Sequence, residues 1–222
     1  MKNLTLLIPA KDESESLPTV IEELKKFDCK KKIILSSKDL KTIDAIRNED
    51  VEIIYQKQNG FGDALITGIN NLDTEYFMIF NADGSFNPSE IPKMFELLDK
   101  NSCDFVFASR YQEDSGSDDD TFVTYLGNKI FTFLGKILFK LDITDLLYTY
   151  VLGKSEKVKK LNLTQKDFSF CVELPIKAKK ENMKMISSNS YERKRIDGVK
   201  KVNAVRDGTL ILIHMIRLFF SR

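Results

Sequence analysis

The sequence is poor in the residues that build zinc sites and disulfide frameworks. It contains one histidine, three cysteines and no tryptophan. The cysteines Cys29, Cys103 and Cys171 lie far apart and form no CxxC pair. Because both kinds of framework need clustered ligands or closely spaced cysteine pairs, the composition argues against them. It is typical of a reducing compartment and predicts a cytoplasmic location.

Long apolar runs are also missing. The first residues, MKNLTLLIPAKDES, have too short an apolar run for a signal peptide and are predicted to form a strand. The most apolar segments are Phe122–Leu141 and the final TLILIHMIRLFFSR, and neither contains an uninterrupted apolar stretch of the roughly 20 residues that a spanning helix needs. Each could bury one face in a core or lie along a bilayer interface, and both interpretations stay open.

The net charge of +1 hides an asymmetry between the two parts of the chain. Residues 151–222 carry 17 Lys and Arg against 7 Asp and Glu, whereas residues 1–150 carry 17 against 26. A basic C-terminal third predicts a face for anionic partners, either phosphates or a lipid surface that the protein contacts peripherally. A solvated lysine-rich surface is the alternative, and we expect no nucleic-acid partner.

The first 110 residues alternate between strand-like and helix-like segments. The predicted strands are Leu4–Ile8, Lys32–Leu35, Val51–Tyr55, Tyr76–Phe80 and Asp104–Ala108. The predicted helices are Leu17–Phe27, Asp39–Asn48, Gly62–Asn71 and Pro88–Lys100. This alternation predicts an α/β fold with a mostly parallel sheet and helices on both faces, and 222 residues are enough for one such domain.

The most informative stretch is Phe77–Pro88, in which an apolar strand delivers Asn81 and Asp83 to its C-terminal end. Open α/β sheets bind their ligands at that edge. Side chains two residues apart on an extended segment share a face, so these two can converge on one ligand. One carboxylate together with substrate phosphates is a usual way to hold Mg²⁺ or Mn²⁺. A plain turn after a strand is the alternative for the same composition.

Seven segments in order carry a resemblance to a known family. They are LIPAKDE (7–13), NGFGDAL (59–65), FNADGSFNPSE (80–90), FASRY (107–111), ITDLLYTY (143–150), RIDGVKK (195–201) and RDG (206–208). Together they resemble the family 2 glycosyltransferases, in particular the dolichyl-phosphate mannose synthase and polyprenyl-phosphate sugar transferase branch. The resemblance covers nearly the whole chain.

The resemblance implies a GT-A nucleotide-sugar fold and inverting transfer from a UDP- or GDP-sugar to a lipid-phosphate or saccharide acceptor. It assigns metal binding, as Mg²⁺ or Mn²⁺, to Asp83 and Ser85. It assigns diphosphate or acceptor binding to Arg110, Arg195 and Lys201, and catalysis to Asp145 and Arg195. The donor-binding residues that it implies are Pro9, Lys11, Glu13, Ser37, Asn81, Ala82 and Asp83.

Transfer to a hydroxyl needs a general base, usually a carboxylate. Asp145 is the predicted base, with Glu173 as the alternative, although apolar neighbours favour a structural role for Glu173. An acceptor phosphate that is already ionised would need no base, and positioning and electrostatics would then carry the rate.

The chain departs from the family pattern at several positions. Ser36 and Ser37 stand where paired acids are usual, and Asn81 stands for the first acid of the metal motif. Residues 118–120, three aspartates, lie where an acceptor phosphate would be expected to bind and would repel it. These departures leave open a non-catalytic glycosyltransferase-like binding protein. A sugar nucleotidyltransferase is disfavoured, because Lys11–Glu13 replaces its glycine-rich, arginine-containing loop.

The resemblance also divides the single domain into three parts. Residues 1–111 are predicted to form the nucleotide-binding half, residues 112–208 the acceptor half, and residues 209–222 a C-terminal apolar helix.

Overall fold

The computed structural model describes residues 1–197 and 203–221. Seven strands form one sheet: β1 (Leu4–Pro9), β2 (Lys30–Leu35), β3 (Glu52–Tyr55), β4 (Tyr76–Ile79), β5 (Phe105–Ser109), β7 (Val151–Lys154) and β8 (Met185–Asn189). Their order is β3-β2-β1-β4-β7-β5-β8. Two short strands, β6 (Gly116–Ser117) and β9 (Tyr191–Glu192), pair in parallel as a second sheet.

The helices are α1 (Leu17–Leu24), α2 (Leu40–Ala45), α3 (Phe61–Asn70), α4 (Ile91–Lys100), α5 (Phe122–Phe139), α6 (Ser155–Lys160), α7 (Phe170–Lys180) and α8 (Ala204–Phe220). A 3₁₀ turn, Pro88–Glu90, precedes α4. The five strands and four helices predicted before residue 110 are confirmed, with ends that differ by a few residues.

The sheet lies between two apolar clusters because its strands alternate their side chains between faces. In β1, Leu6 and Ile8 belong to one cluster with α1 and α4, whereas Leu7 belongs to the other with α3, α7 and α8. All these side chains are buried. The α/β fold with helices on both faces is therefore confirmed.

β7 is the strand that makes the sheet mixed. It pairs antiparallel with β4 on one side and with β5 on the other. A Cβ at Gly153 would meet the rings of Phe105 at 2.4 Å and Phe77 at 2.9 Å, so glycine is needed where two aromatic residues of the neighbouring strands close over the backbone. The sheet thus takes strands from both predicted halves, 1–111 and 112–208, and that functional division stays a prediction.

The two apolar segments of the sequence form α5 and α8, which pack against each other. α8 begins at Ala204, five residues before the predicted start, because the Asn203 side chain accepts a hydrogen bond from the Arg206 amide and caps it. Its buried side is formed by Ile211, His214, Met215 and Leu218. Among the described residues, none of the helices has the length and apolar character needed to cross a bilayer.

Candidate active site

Three polar side chains meet in the loop after β4. Ser85 donates to Asp83 Oδ1 twice, from its amide at 3.0 Å and from its hydroxyl at 2.7 Å. Asn81 Nδ2 donates to Ser85 Oγ at 3.3 Å. Gly84 has φ +80°, the left-handed conformation that allows the chain to turn between Asp83 and Ser85. The structure therefore brings Asn81, Asp83 and Ser85 together, whereas the side chain of Ala82 is buried.

This loop lies where the strand order of the sheet reverses. β2 and β3 extend from one side of β1, and the parallel neighbour on its other side is β4. The segments leaving β1 and β4 diverge at such a point and form a crevice at the carboxyl ends of the strands, which is where open α/β sheets bind ligands.

The loops after β1 and β2 are tied to each other at the same edge. The Asp12 amide donates to Asp39 Oδ2 at 2.7 Å, and Asp39 also caps α2 through the Thr42 amide. Lys11 and Ser37 are exposed on these two loops. Asp39 was not among the predicted site residues, although an aspartate directly before a helical pattern is a capping signal.

Glu13 has a different environment from the exposed Lys11. It is 8% exposed. Its carboxylate accepts from Ser16 Oγ at 2.7 Å, and its amide donates to Thr42 Oγ1 at 3.0 Å. Glu13 therefore helps to join the starts of α1 and α2. Pro9, the last residue of β1, pairs with Ile34 of β2 at the carboxyl end of the strand.

A segment from the far end of the chain lies against the Asp83 loop. The amides of Arg193 and Ile196 donate to the carbonyls of Ser85 and Asp83, both at 2.8 Å. A Cβ at Gly84 would meet the Ile196 side chain at 2.5 Å. Residues 193–196 thus fix the backbone of the loop. Lys201, which follows in sequence, lies outside the described residues.

Arg195 projects from this segment between two carboxylates. Its Nε and Nη2 donate to Asp119 at 3.2 and 2.9 Å, and its Nη1 lies 3.6 Å from Asp83 Oδ2. The hydrogen bonds that Arg195 donates to Asp119, with further attraction from Asp83 and Glu13, raise the pKa of Arg195 although burial opposes its charge. The pairing of Asp119 with Arg195 was not predicted, since nothing in the sequence pattern links two positions 76 residues apart.

The acidic stretch 118–120 is engaged with neighbouring side chains. Asp118 accepts from Tyr191 Oη and Asp120 from Tyr111 Oη, both at 2.7 Å, and Asp119 is paired with Arg195. The expected repulsion of an acceptor phosphate is therefore weakened at Asp119, where a cation balances the charge. Asp118 and Asp120 accept from hydroxyls, which bring no balancing positive charge.

Arg110 and Asp145, predicted at the site, form a buried ion pair. Arg110 donates from Nε to Asp145 Oδ2 at 2.7 Å, from Nη2 to Oδ1 at 3.1 Å, and from Nη1 to Glu192 at 3.1 Å. The side chain of Asp145 has 0% exposure and that of Arg110 8%. Burial opposes the charge of Arg110, but the attraction of Asp145 and Glu192 prevails and raises its pKa. The structure thus joins Asp145 to Arg110 and buries both.

Glu173, the alternative base, is also buried. Its oxygens accept from the amides of Thr164 and Gln165, at 3.0 and 2.8 Å, and Lys177 lies 2.8 Å away. Its carboxylate therefore holds the turn before α7.

The oxygen atoms of the Asp83 loop fit a divalent cation. Within residues 1–197 and 203–221, no group of three His, Cys or acidic side chains is arranged to hold a metal by itself. Asn81, Asp83 and Ser85 instead offer an amide, a carboxylate and a hydroxyl. Mg²⁺ and Mn²⁺ accept such oxygen ligands and commonly complete their coordination with substrate phosphates.

Comparisons with known proteins identify the family of this chain. The model of Glycosyl transferase family 2 matches residues 5–161. An uncharacterized glycosyltransferase of Mycobacterium tuberculosis is 21% identical over 210 residues, which cover 95% of this chain and 94% of that protein. A dolichol-phosphate mannosyltransferase of Pyrococcus furiosus is 30% identical over 125 residues, 55% of this chain and 35% of that protein.

A solved structure has the same fold. Glucosyl-3-phosphoglycerate synthase from Mycobacterium tuberculosis, in complex with Mn²⁺, UDP and glucosyl-3-phosphoglycerate, superposes with a TM-score of 0.77 at 11% identity. The match covers 100% of this chain and 81% of that one, and it shows the GT-A fold. Since the family model spans more than half of the chain and the expected fold is present, this chain belongs to glycosyl transferase family 2, with a likeness to its polyprenyl-phosphate sugar transferase branch.

Proposed function

We propose that this chain transfers a sugar, with inversion, from a UDP- or GDP-sugar to an acceptor. The observation that carries the proposal is the cluster of Asn81, Asp83, Ser85 and Arg195 at the point where the strand order reverses. The similar synthase that binds Mn²⁺ and UDP supports it, as does family membership.

The donor nucleoside would lie along the two joined loops after β1 and β2. The exposed side chains of Lys11 and Ser37 offer an ammonium and a hydroxyl there, while Pro9, Ala82 and the backbone held by Glu13 supply the wall. The hydrogen bond from Asp12 to Asp39 keeps the loops together before the donor arrives. Such preorganisation lowers the entropic cost of binding.

The donor diphosphate would lie beside Asp83 and Arg195, in reach of both side chains. Arg195 is a planar fork that suits phosphate oxygens, and its contact with Asp119 fixes its direction. A divalent metal held by Asp83 and Ser85 would supply Lewis-acid neutralisation of the charge that grows on the departing nucleoside diphosphate.

The acceptor is proposed to carry an ionised phosphate. Asp145 and Glu173 are both at 0% side-chain exposure, with their oxygens engaged, so neither is placed to take a proton from an acceptor hydroxyl. The catalytic role of Asp145 stays a prediction, and its burial favours the role of holding Arg110. An ionised phosphate, on a lipid or on a saccharide, attacks without a general base and depends on orientation and charge.

A binding panel tests the proposal. UDP, GDP and their common sugar conjugates are titrated into the full chain with and without Mn²⁺, and sugar release or transfer is followed by mass spectrometry. We expect Mn²⁺-dependent binding of one nucleotide class and turnover of its sugar conjugate. Absence of both binding and turnover across the panel would refute the proposal.

The second candidate is a glycosyltransferase-like protein that binds a nucleotide without turning it over. Asn81, which supplies an amide where the family has a carboxylate, favours it. The same panel separates the two, because binding without transfer or hydrolysis is the outcome expected of this candidate.

We also propose that α5 and α8 dock on an anionic lipid surface. α5 exposes an apolar stripe at helical spacing, formed by Phe122, Leu126, Ile130, Phe133 and Ile137. Within α5 the charged residues are Lys129 and Lys136, and no acidic residue occurs. α8 continues this surface, since Phe139 and Phe219 pack with ring centroids 6.0 Å apart, and it exposes Leu212, Ile213, Ile216 and Phe220. An apolar face with cations and few acids suits a bilayer interface.

Vesicle sedimentation tests this surface. We expect vesicles of phosphatidylglycerol and phosphatidylcholine to bind the full chain, and Ile137→Glu with Ile216→Glu to abolish binding. Leu40→Glu is the matched control, because Leu40 is an apolar side chain on α2 that is 71% exposed. Self-association without vesicles would assign the face to a second copy of the chain and contradict the lipid proposal.

A further inference from the structure

Two carboxylates share the guanidinium of Arg195, and they do so unequally. Asp119 receives two hydrogen bonds, at 2.9 and 3.2 Å. Asp83 Oδ2 lies 3.6 Å from Nη1, which is close enough for charge attraction but beyond hydrogen-bond range. Arg195 therefore neutralises part of the charge on Asp83 without using that oxygen as an acceptor.

Hydrogen bonds join the backbone around Asp119 to β9, the strand that precedes Arg195. Ser117 Oγ accepts from the amides of Asp119 and Asp120, at 3.1 and 2.9 Å, and donates to the Glu192 carboxylate. The Asp118 amide donates to the Glu192 carbonyl at 2.9 Å. The position of the Asp119 carboxylate is thus set by β6 and β9.

The backbone on either side of Arg195 is fixed as well. The Arg193 amide donates a hydrogen bond to the Asp83 loop, and the Arg193 side chain donates to both carboxylate oxygens of Glu23, at 3.0 and 2.8 Å. The Ile196 amide donates to the Asp83 carbonyl at 2.8 Å. The arginine stem is then the adjustable part, and the guanidinium lies where its hydrogen bonds to Asp119 outweigh the attraction of Asp83 and Glu13.

We infer that Asp119 is a positioning residue that holds Arg195 away from Asp83 and so keeps Asp83 Oδ2 available to a divalent cation. The inference rests on the proposed function insofar as Asp83 is taken as the cation ligand. Without the charge of Asp119, the guanidinium moves onto Asp83, where it competes with the cation for the same oxygen. This gives the acidic loop 118–120 a function: the Asp119 carboxylate keeps Arg195 from occupying the Asp83 carboxylate.

A double-mutant cycle tests the inference with Mn²⁺ alone as the probe. Free Mn²⁺ is measured by electron paramagnetic resonance during titration of the full chain, for the wild type, Asp119→Asn, Arg195→Gln and the double variant. We expect Asp119→Asn to weaken Mn²⁺ binding about tenfold in the wild-type background and less than about threefold when Arg195 is already Gln, because the coupling passes through the guanidinium. Arg195→Gln alone should strengthen binding.

Lys194→Gln is the matched control, since it removes an exposed cation from the same segment and should change Mn²⁺ affinity little. Thermal unfolding of each variant verifies that it is folded. Equal effects of Asp119→Asn in both backgrounds, no effect in either, or no Mn²⁺ binding by the wild type and Arg195→Gln would overturn the inference. The cycle uses no nucleotide, so its result does not depend on sugar transfer. If the cycle gives the expected coupling and the donor panel shows no transfer, the proposed function is refuted and the inference about Asp119 stands.

Discussion

Arg110 and Arg195 each lie between two carboxylates, yet their surroundings differ. Arg110 is 8% exposed, donates to Asp145 and Glu192, and stacks over the Tyr148 ring at 4.5 Å. Arg195 is 18% exposed and lies at the open carboxyl edge of the sheet. Three nitrogens of Arg110 donate to carboxylates, whereas Nη1 of Arg195 lies 3.6 Å from its second carboxylate.

The two arginines share residue type and number of neighbouring acids, so the difference between them is one of burial. A buried pair has its donors satisfied and becomes expensive to break, because removing one partner leaves an uncompensated charge. A partly exposed pair is weaker and keeps the freedom to bind an incoming anion. Four substitutions would sharpen or break this comparison.

The largest effect is expected for Arg110→Met. It leaves Asp145 and Glu192 buried without their cation, so the free energy of unfolding should fall by about 3–5 kcal/mol. Urea unfolding followed by circular dichroism measures it. Arg47→Met, at a side chain that is 74% exposed, is the control and should change stability by less than about 0.5 kcal/mol. A loss below about 1 kcal/mol at Arg110 would remove the distinction between the two arginines.

Asp83→Ala should act on ligand binding with little effect on stability. Its carboxylate is the one acidic group of the Asn81–Ser85 loop, so Mn²⁺-dependent binding of UDP or GDP should weaken at least about tenfold. Isothermal titration calorimetry with and without Mn²⁺ measures the change. The control is Asp142→Ala, which removes a carboxylate at 83% exposure. Unchanged nucleotide affinity would exclude Asp83 as a cation ligand.

Arg195→Lys keeps the charge and removes the planar fork. The two hydrogen bonds to Asp119 cannot both be kept by an ammonium, so the diphosphate contact should lose its direction. We expect nucleotide affinity to fall several-fold, with thermal stability close to that of the wild type. Lys194→Arg makes the reverse change at the adjacent position. A large loss of stability in Arg195→Lys would show that Arg195 behaves like Arg110.

The smallest change in stability is expected for a substitution of Glu90. Its carboxylate accepts from Ser190 Oγ and the Tyr191 amide, at 2.6 and 2.9 Å, and so holds the residues that precede the 193–196 segment. Burial raises the pKa of Glu90 above its ordinary 4.5, against the hydrogen bonds that lower it. The folded protein thus binds this proton more tightly than the unfolded chain, and the stabilisation is lost as pH rises from 4.5 through the raised pKa.

Glu90→Gln should therefore flatten the pH dependence of unfolding over that window and be at least as stable as the wild type at pH 7. Urea unfolding at several pH values measures the slope. Glu96→Gln, an exposed glutamate on α4, should leave the slope unchanged. A steeper slope in Glu90→Gln would contradict the direction of the shift.

Much of the fold could be predicted because its signals are local. The apolar runs of β1, β2 and β4 and the glycine before α3 identify the alternating pattern without knowledge of contacts. α7 gave no such signal, since Pro175 lies inside the helix. Proline lacks the amide hydrogen that the helix ladder uses, so its presence argues against a helix in the sequence.

The site could be predicted only in part. Asn81, Asp83 and Ser85 share one loop, and their proximity follows from spacing. The pairing of Arg195 with Asp119 depends on β6 meeting β9, two-residue strands that are too short to leave a pattern. The FASRY motif predicted that Arg110 binds a ligand. The depth of its burial depends on Tyr148 and the two carboxylates that pack around it, which the sequence does not reveal.

Because β7 lies between β4 and β5, the sheet cannot be completed until late in the synthesis of the chain. β4 and β5 leave the ribosome well before residues 151–154, and until those residues emerge the two strands have no partner between them. Nascent chains shorter than about 190 residues also lack β8, so the sheet has open edges that can recruit other chains. The loop that carries Asp83 thus acquires its final support late, when the last part of the chain adds residues 193–196. A fragment that ends after residue 111 would be an aggregation-prone half-sheet rather than a small nucleotide-binding protein.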